Sequence, residues 1–195
     1  MKSVRETIEA KLSQAFGREA KFRNLQVFPL KRRLVAEGLT VAGLSNQPIF
    51  TAARITAQIA VTKILLGEIS ITEMVIESPE LFLDFVPAPG ASSGQSSGKF
   101  EAQSVRIQNG KFSWQKNSQL ITACQIAAEV KQQSGSIELT ATVGELTRMG
   151  RVEITGRIAC GDFAGLLNSH AAADLRFASG LHIAIEAPSI QLLFR

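Results

Sequence analysis

Hydrophobic and polar residues alternate most regularly between Ala53 and Val61. The odd positions of this stretch are all apolar, while Arg54, Thr56 and Gln58 occupy even positions. A period of two residues is typical of a β-strand with one apolar face and one polar face. The stretch therefore predicts a strand that buries one side only.

The same alternation returns at Ile69 and continues to Phe85. It changes phase at Met74, and Pro79 interrupts it once more. These interruptions predict two or three further strands with the same sidedness as the first.

Alternating segments continue to the end of the chain and predict roughly ten to twelve short strands in a meander. Asn109-Gly110 is either a two-residue turn or a bulge in a continuous strand, and Ser134-Gly135 predicts a turn. Gly38 is a candidate bulge. Strands do not alternate with helices, so a parallel sheet with crossover helices is not predicted. The predicted strands cover 21–30, 34–44, 53–61, 69–85, 105–114, 120–130, 137–143, 152–160, 171–177, 181–185 and 190–194.

One amphipathic helix precedes the strands. Ser3 and Glu6 have the spacing of a capping box, and Gly17 is placed to end the helix. The pattern fits a helix that closes one end of a β core, and it also fits a helix that lies at a membrane. The apolar residues at helical spacing are Val4, Ile8, Leu12, Ala15 and Phe16.

We predict a single β-rich domain over residues 1–195, a length that fits one domain. It comprises the helix at 1–17, a first β unit at 18–85, a Pro/Gly/Ser-rich linker at 86–98 and a second β unit at 99–195. The linker is interpreted as an excursion between neighbouring strands, because the pattern after it repeats the pattern before it.

Positive charge is concentrated at the N-terminus. Residues 1–33 contain nine Lys/Arg and three Asp/Glu, although the net charge of the whole chain is only +4. Such a segment suits an anionic membrane surface or a nucleic-acid backbone, and a solvated helix explains it as well. No run of 18 apolar residues is present, so the sequence predicts no membrane span.

Residues that could carry chemistry are few and scattered. His170 and His182 have no third ligand at a suitable spacing, so no metal site is predicted. Carboxylates spaced for acid–base catalysis and glycine loops for phosphate are absent from the sequence, so neither an enzyme nor a cofactor is predicted. Cys124 and Cys160 are in phase with apolar positions and are predicted to be buried free thiols.

The apolar face of so many strands must be covered by something. A closed β-sandwich would bury it against a second sheet, whereas a strongly twisted meander would form an open trough for hydrocarbon tails. Periodicity alone leaves both architectures open.

The first 130 residues or so resemble the AsmA-like family, the AsmA/TamB-type proteins of the bacterial envelope. The resemblance rests on the order of several short motifs and not on any one of them. These are Phe16-Gly17-Arg18 at the helix end, Leu65-Leu66-Gly67, the series Ile69, Ile71, Met74, Ile76, Pro79 and Leu81, and the later segment Val105 to Gln115, VRIQNGKFSWQ.

The resemblance favours the trough over the sandwich. It implies a curved antiparallel β meander that forms an open hydrophobic groove of the β-taco or repeating-β-groove type, with one N-terminal helix. The groove would bind phospholipid or other acyl-chain lipids. Its expected lining is Ala53, Ile55, Ala57, Ile59, Val61, Ile69, Ile71, Leu120, Ile126, Val130, Ile137 and Leu139.

The resemblance also implies a location and a task. The helix residues Val4, Ile8, Leu12 and Phe16 would cap the groove at its membrane end. Lipid would move between the inner and outer membranes through the periplasm, from a chain tethered to the inner membrane by a segment that precedes this one. A neighbouring role in the family supports outer-membrane protein assembly, and a nucleic-acid partner is not expected. The expected head-group contacts are Lys2, Arg5, Lys11, Arg32 and Arg33.

Overall fold

A computed structural model shows a mostly β protein with one open, curved sheet of eleven strands and one short helix. The structure describes residues 4–16, 18–43, 47–59, 70–84, 101–116, 119–133, 135–147, 149–159 and 170–187. The elements in chain order are α1 (Val4–Phe16), β1 (Ala20–Lys21), β2 (Asn24–Phe28), a 3-10 turn (Pro29–Lys31), β3 (Arg33–Val41), β4 (Phe50–Ile59), β5 (Ser70–Asp84), β6 (Glu101–Lys116), β7 (Gln119–Gln133), β8 (Ser136–Leu146), β9 (Gly150–Ile158), β10 (Ala171–Phe177) and β11 (His182–Ala187).

The strands follow one another across the sheet in sequence order from β3 to β11, and β1 and β2 both pair with β3. The sheet is not closed, so the closed sandwich considered from the sequence is not the architecture of this chain. The turn predicted at Ser134-Gly135 is confirmed at Gly135, because Gln133 and Ser136 are paired at the start of the β7–β8 hairpin; Ser134 lies outside the described residues.

One strand pair departs from the predicted antiparallel meander. β5 and β6 are neighbours, as the interpretation of the linker required, but they run parallel, with Ser70 opposite Glu101 and Asp84 opposite Gln115. A parallel pair needs a connection that returns to the starting end of the strand. That return covers about 46 Å at about 3.3 Å per residue, and residues 85–100 have an extended reach of about 55 Å.

Positions at which the strand pairing is interrupted line up across the sheet from β3 to β8, and the register itself shifts there in the β6–β7 and β8–β9 pairs. Residues at this line fall between successive register partners, and four of them have a positive φ. The buried positions of a strand change phase at this line: in β3, Leu34 and Ala36 are buried before Gly38, and Leu39 and Val41 are buried after it. We name these residues the bulge line: Gly38, Ala53, Ser78, Asn109, Gln125 and Gly144.

The bulge line corrects two sequence predictions and resolves a third. Residues 70–84 form one strand with a positive φ at Ser78, where two or three strands were predicted. Asn109-Gly110 is a bulge inside the continuous strand β6 and not a turn. Gly38 has φ 62° and interrupts the pairing, but the register of β3 with β4 is the same on both sides of it, so the predicted bulge, an extra residue in one strand, is not present there.

Two apolar clusters form the core. The first cluster lies on β1 and β3–β5 and includes the fully buried Val41, with Ile8 and Leu12 of α1 packed against it. The second cluster lies on β7–β10 around the fully buried Val152. The helix therefore covers the first cluster, at the edge of the sheet where β1 lies.

Candidate functional site: the apolar face of the sheet

Register partners on neighbouring strands lie on the same face of a sheet, so the pairing identifies the apolar face. One line of partners is apolar in every strand from β2 to β11. We call it the central row, and it consists of Leu25, Ala36, Ile55, Ile76, Ile107, Ala128, Ala141, Ile154, Leu175 and Ile183.

A second row runs beside the central row and contains only apolar residues and one glycine. The two rows cross nine strand intervals, which is about 43 Å at about 4.8 Å per interval. This distance exceeds the length of one acyl chain, which is about 15 Å in a bilayer leaflet. The second row consists of Val27, Leu34, Ala57, Met74, Val105, Val130, Leu139, Gly156, Ala173 and Ile185.

Burial varies along the central row, where Ala36 and Ala141 are buried, most other members are partly buried, and only the last member is exposed. Ala36 is fully buried beside the helix, and Ile55, Ile76 and Ile107 are partly buried. At the other end, Ile183 is 39% exposed. A row of large aliphatic side chains that is incompletely covered offers a surface to hydrocarbon.

The opposite face is polar and charged. Arg106 lies between two carboxylates there, 3.0 Å from Glu129 and 3.4 Å from Glu73, and Lys131 lies 2.8 Å from Glu129. Hydrogen bonds from Lys131 and Arg106 lower the pKa of Glu129. The two faces therefore differ sharply in their affinity for water.

Two shallow depressions lie on the polar face, with volumes of about 660 Å³ and 300 Å³. Arg106, Glu129, Lys131 and Thr140 line the larger one. Ala127 and Ala128 line it as well, so the depression presents salt-bridged charges beside small side chains and no long apolar row. The apolar rows are therefore the better candidate site.

The structure brings together most of the residues that the sequence assigned to the groove. Ile55, Ile126, Val130 and Leu139 are partly buried on the apolar face. Ala57, Ile59, Ile71 and Ile137 lie on the same face and are buried. Val61 and Ile69 lie outside the described residues.

Two expected lining residues are not on the apolar face. Ala53 belongs to the bulge line and is exposed. Leu120 is 54% exposed and pairs with Gln115, because the bulge at Gln125 shifts the phase of β7. The same shift places Cys124 opposite Glu145 on the polar face, where it is a partly buried free thiol; Cys160 lies outside the described residues.

The sequence analysis missed Ile121 and Ala123, which occupy the apolar face of β7 in place of Leu120 and Cys124. Ile121 pairs with Trp114, and Ala123 pairs with Phe112. The sequence did contain one signal for this shift, the phase change at Asn109-Gly110 in the neighbouring strand β6. A strand that pairs with β6 must change phase at the same level.

The helix protects the edge of the sheet at β1. Its residues bond to the backbone there: the Ala20 N–H donates to Ser13 Oγ at 2.9 Å, the Phe22 N–H donates to Glu9 Oε1 at 2.9 Å, and Arg5 donates to the Phe22 carbonyl. The bond from the Phe22 amide is the main reason that the pKa of Glu9 is lowered. Unpaired edge groups are thereby satisfied by side chains.

The expected head-group contacts fall into two sets. Arg5 is bound to Glu9 and to the backbone of Phe22, so it is already occupied. Arg32 and Arg33 are exposed in the turn between β2 and β3. Lys2 and the side chains of Val4, Lys11 and Phe16 lie outside the described part of the structure.

Within the described ranges, no three residues among His, Cys, Asp and Glu lie close enough to hold a metal ion. His182 and Asp174 form an exposed pair at 2.9 Å. No described helix is long and apolar enough to cross a bilayer.

Comparison with known proteins adds no relative. No protein-family model matches this chain, and the search of curated proteins found no significant match. The similarity of its motifs to the AsmA-like family is therefore the basis of a proposal only.

Proposed function

We propose that this chain is a non-enzymatic lipid-binding module of the AsmA-like kind, and that its apolar rows hold the acyl chains of phospholipids. The observation that carries the proposal is the pair of apolar rows that cross an open sheet without interruption from β2 to β11. A closed core would not need rows whose large side chains stay partly exposed.

The energetics favour hydrocarbon as the occupant. Covering about 300 Å² of apolar surface gains about 7.5 kcal/mol at about 25 cal/mol per Å². Part of this gain offsets the ordering of the tail, so binding is reversible, as a carrier requires. The charged groups of the opposite face keep the outside of the sheet in water.

The proposed setting is the periplasm, with the N-terminal end near the inner membrane and lipid passing towards the outer membrane. Arg32 and Arg33 are the described basic residues that support contact with phosphate head groups at that end. Within the proposal the protein supports the balance and assembly of the outer membrane through lipid supply.

The test is lipid extraction from protein purified from cells, followed by mass spectrometry. We expect co-purifying phospholipid. Ile76→Asp puts a carboxylate in the central row, where it would be desolvated by an acyl chain, and it should lower the bound phospholipid by about 10-fold. Protein that is free of phospholipid and takes up no fluorescent fatty acid would contradict the proposal.

The matched control is Val75→Asp. Val75 precedes Ile76 in β5, lies on the opposite face and pairs with Arg106, so the new carboxylate joins the charged groups of that face and not the apolar rows. Lipid content should stay within about 2-fold of wild type. Ile59 is unsuitable for this test because it is only 2% exposed, so a charge there tests folding. If Ile76→Asp does not fold, Ile183→Asp replaces it.

A second candidate is an interaction domain without a lipid ligand, as in support of outer-membrane protein assembly. The observation in its favour is β11, which among the described residues pairs only with β10, carries the exposed Ile183 and follows directly after the exposed Leu181. An open strand edge can accept a strand from a partner. Lipid-free protein that still binds a partner through β11 would favour this candidate.

A further inference from the structure

The turn between β2 and β3 combines apolar and basic residues at one corner of the sheet. Leu30 is 102% exposed, more than any other large hydrophobic residue in the described ranges. Phe28 is also exposed, and Lys31, Arg32 and Arg33 follow directly. We call residues 28–33 the basic turn.

Hydrogen bonds fix the shape of the basic turn. The Arg32 N–H donates to the Pro29 carbonyl at 3.1 Å, and Arg32 adopts a left-handed conformation with φ 49°. The Ile59 N–H donates to the Arg32 carbonyl at 2.9 Å, which ties the turn to the end of β4. The exposure of Leu30 is therefore set by the backbone fold of the turn.

The charge of the basic turn is not balanced locally. Lys31, Arg32 and Arg33 form no ion pair with any residue that the structure describes. Arg54 and Arg106, by contrast, are each paired with a carboxylate within the sheet. Three consecutive cations without counter-charges favour an anionic partner.

We infer that the basic turn docks on an anionic phospholipid bilayer, with Leu30 inserted at the level of the upper acyl chains and the three cations on head-group phosphates. Apolar side chains beside Lys and Arg are what an interfacial site requires. The purpose of this contact rests on the proposed function. The second row begins at Val27 and Leu34, directly next to the turn, so docking brings the start of that row to the membrane.

Leu30 decides between a bilayer and a nucleic acid as the anionic partner. A nucleic acid could engage the cations with its backbone and stack its bases on Phe28 or on the guanidinium groups, but it would leave the aliphatic side chain of Leu30 in water. Only a bilayer offers phosphates and hydrocarbon at adjacent depths.

The experiment measures binding of the full chain to vesicles of phosphatidylcholine with about one-third phosphatidylglycerol. Leu30→Ser should weaken binding by about 10-fold, because the inserted side chain is lost. The triple variant Lys31→Gln, Arg32→Gln, Arg33→Gln should weaken it by about 100-fold. Wild-type binding should also fall when salt rises from about 0.1 M to about 0.5 M.

The matched control removes the same charge elsewhere. Lys111→Gln, Arg157→Gln, Arg176→Gln changes three exposed cations of other strands and should alter binding by less than about 3-fold. A second readout is the emission of Leu30→Trp, which should shift to the blue on vesicles, whereas Leu120→Trp on the polar face should not.

Three results would overturn the inference: no binding of wild-type protein to these vesicles, unchanged binding of both basic-turn variants, or equal loss in the control triple variant. Binding to an oligonucleotide that depends on the cations but not on Leu30 would also overturn it. Failure of this inference can be distinguished from failure of the proposed function. Ile76→Asp should lose co-purifying phospholipid but still bind vesicles, whereas Leu30→Ser should bind vesicles weakly but keep its co-purifying phospholipid.

Discussion

The apolar face of the sheet is covered by a helix at the β1 end and is partly exposed at the β11 end. At the first end, α1 packs Ile8 and Leu12 against the first cluster and bonds its polar side chains to the backbone at β1. At the other end, the central row finishes at Ile183 with much of its side chain exposed. A single sheet must be covered by another layer, and among the described elements a helix lies at the first end only.

The difference between the two ends separates residues that stabilise the fold from residues that are proposed to bind lipid. Residues near the helix are buried by the protein itself, so they contribute to folding whether or not a ligand is present. At the β11 end, the second cluster is also buried by the protein itself, whereas the exposed Ile183 would gain burial from a ligand. Mutations at the two ends should therefore respond differently to lipid.

The largest difference is expected between Leu39→Ala and Ile183→Ala. Leu39 is buried in the first cluster, so its truncation should cost about 3 kcal/mol in the free energy of unfolding. Ile183 is exposed, so its truncation should cost less than about 0.5 kcal/mol in lipid-free protein. Denaturant unfolding followed by circular dichroism measures both values.

Bound lipid should change the cost of one of these two substitutions only. Saturation with phospholipid should raise the cost of Ile183→Ala and leave the cost of Leu39→Ala unchanged, because only the first change removes a ligand contact. Equal costs with and without lipid would break the proposed division between the two ends.

A smaller effect is expected at two glycines with positive φ. Gly38→Ala should cost about 2 kcal/mol, because the new Cβ lies 2.9 Å from Arg23 Cβ and the residue has φ 62°. Gly135→Ala has a similar φ of 79° but no atom within 4 Å of the new Cβ, so it should cost about 1 kcal/mol. Thermal unfolding of the two variants separates the two costs, because both variants carry the backbone strain and only Gly38→Ala adds crowding. Equal losses of stability in both variants would exclude crowding at Gly38.

The smallest effect concerns pH and the helix. The Phe22 amide holds the pKa of Glu9 below its ordinary value of 4.5, so ionised Glu9 stabilises the folded state above that pH. This contribution is lost as the pH falls through the lowered pKa. Glu9→Gln should therefore destabilise by about 1 kcal/mol near neutral pH, and the difference from wild type should vanish in acid.

Glu186→Gln on β11 is the control for this experiment. Glu186 is exposed at the other end of the sheet, where it has no contact with the helix, so its removal should not loosen the helix from β1. A profile that responds equally to both changes would mean that Glu9 does not fasten the helix to the edge. Denaturant titrations at several pH values make the measurement.

Much of the fold could be predicted from local pattern. The strand character, the leading helix, the turn at Gly135 and the neighbouring positions of the strands beside the linker are all confirmed. These features depend on a few adjacent residues, because side-chain alternation and turn chemistry are local properties. Burial of Ile137 and Leu139 on the same face follows from the same alternation.

The faces of Leu120 and Ala53 could not be predicted in this way. Glutamine is not a residue type that favours a left-handed backbone, so the sequence around Gln125 does not signal one. Its φ is nevertheless 54°, because β7 must stay in register with its neighbours at Asn109 and Gly144. A bulge in one strand is fixed by its neighbours, and a one-residue shift reverses every later side chain.

The sequence by itself determined that this protein is a β-rich chain with one-sided strands, because each strand's alternation is written in consecutive residues. The tertiary structure alone decided that β5 and β6 are parallel, that a bulge line crosses the sheet, and that the apolar residues join into rows. The reason is physical: these features depend on hydrogen bonds between strands that are distant along the chain, and such pairing leaves only a weak trace in any one segment.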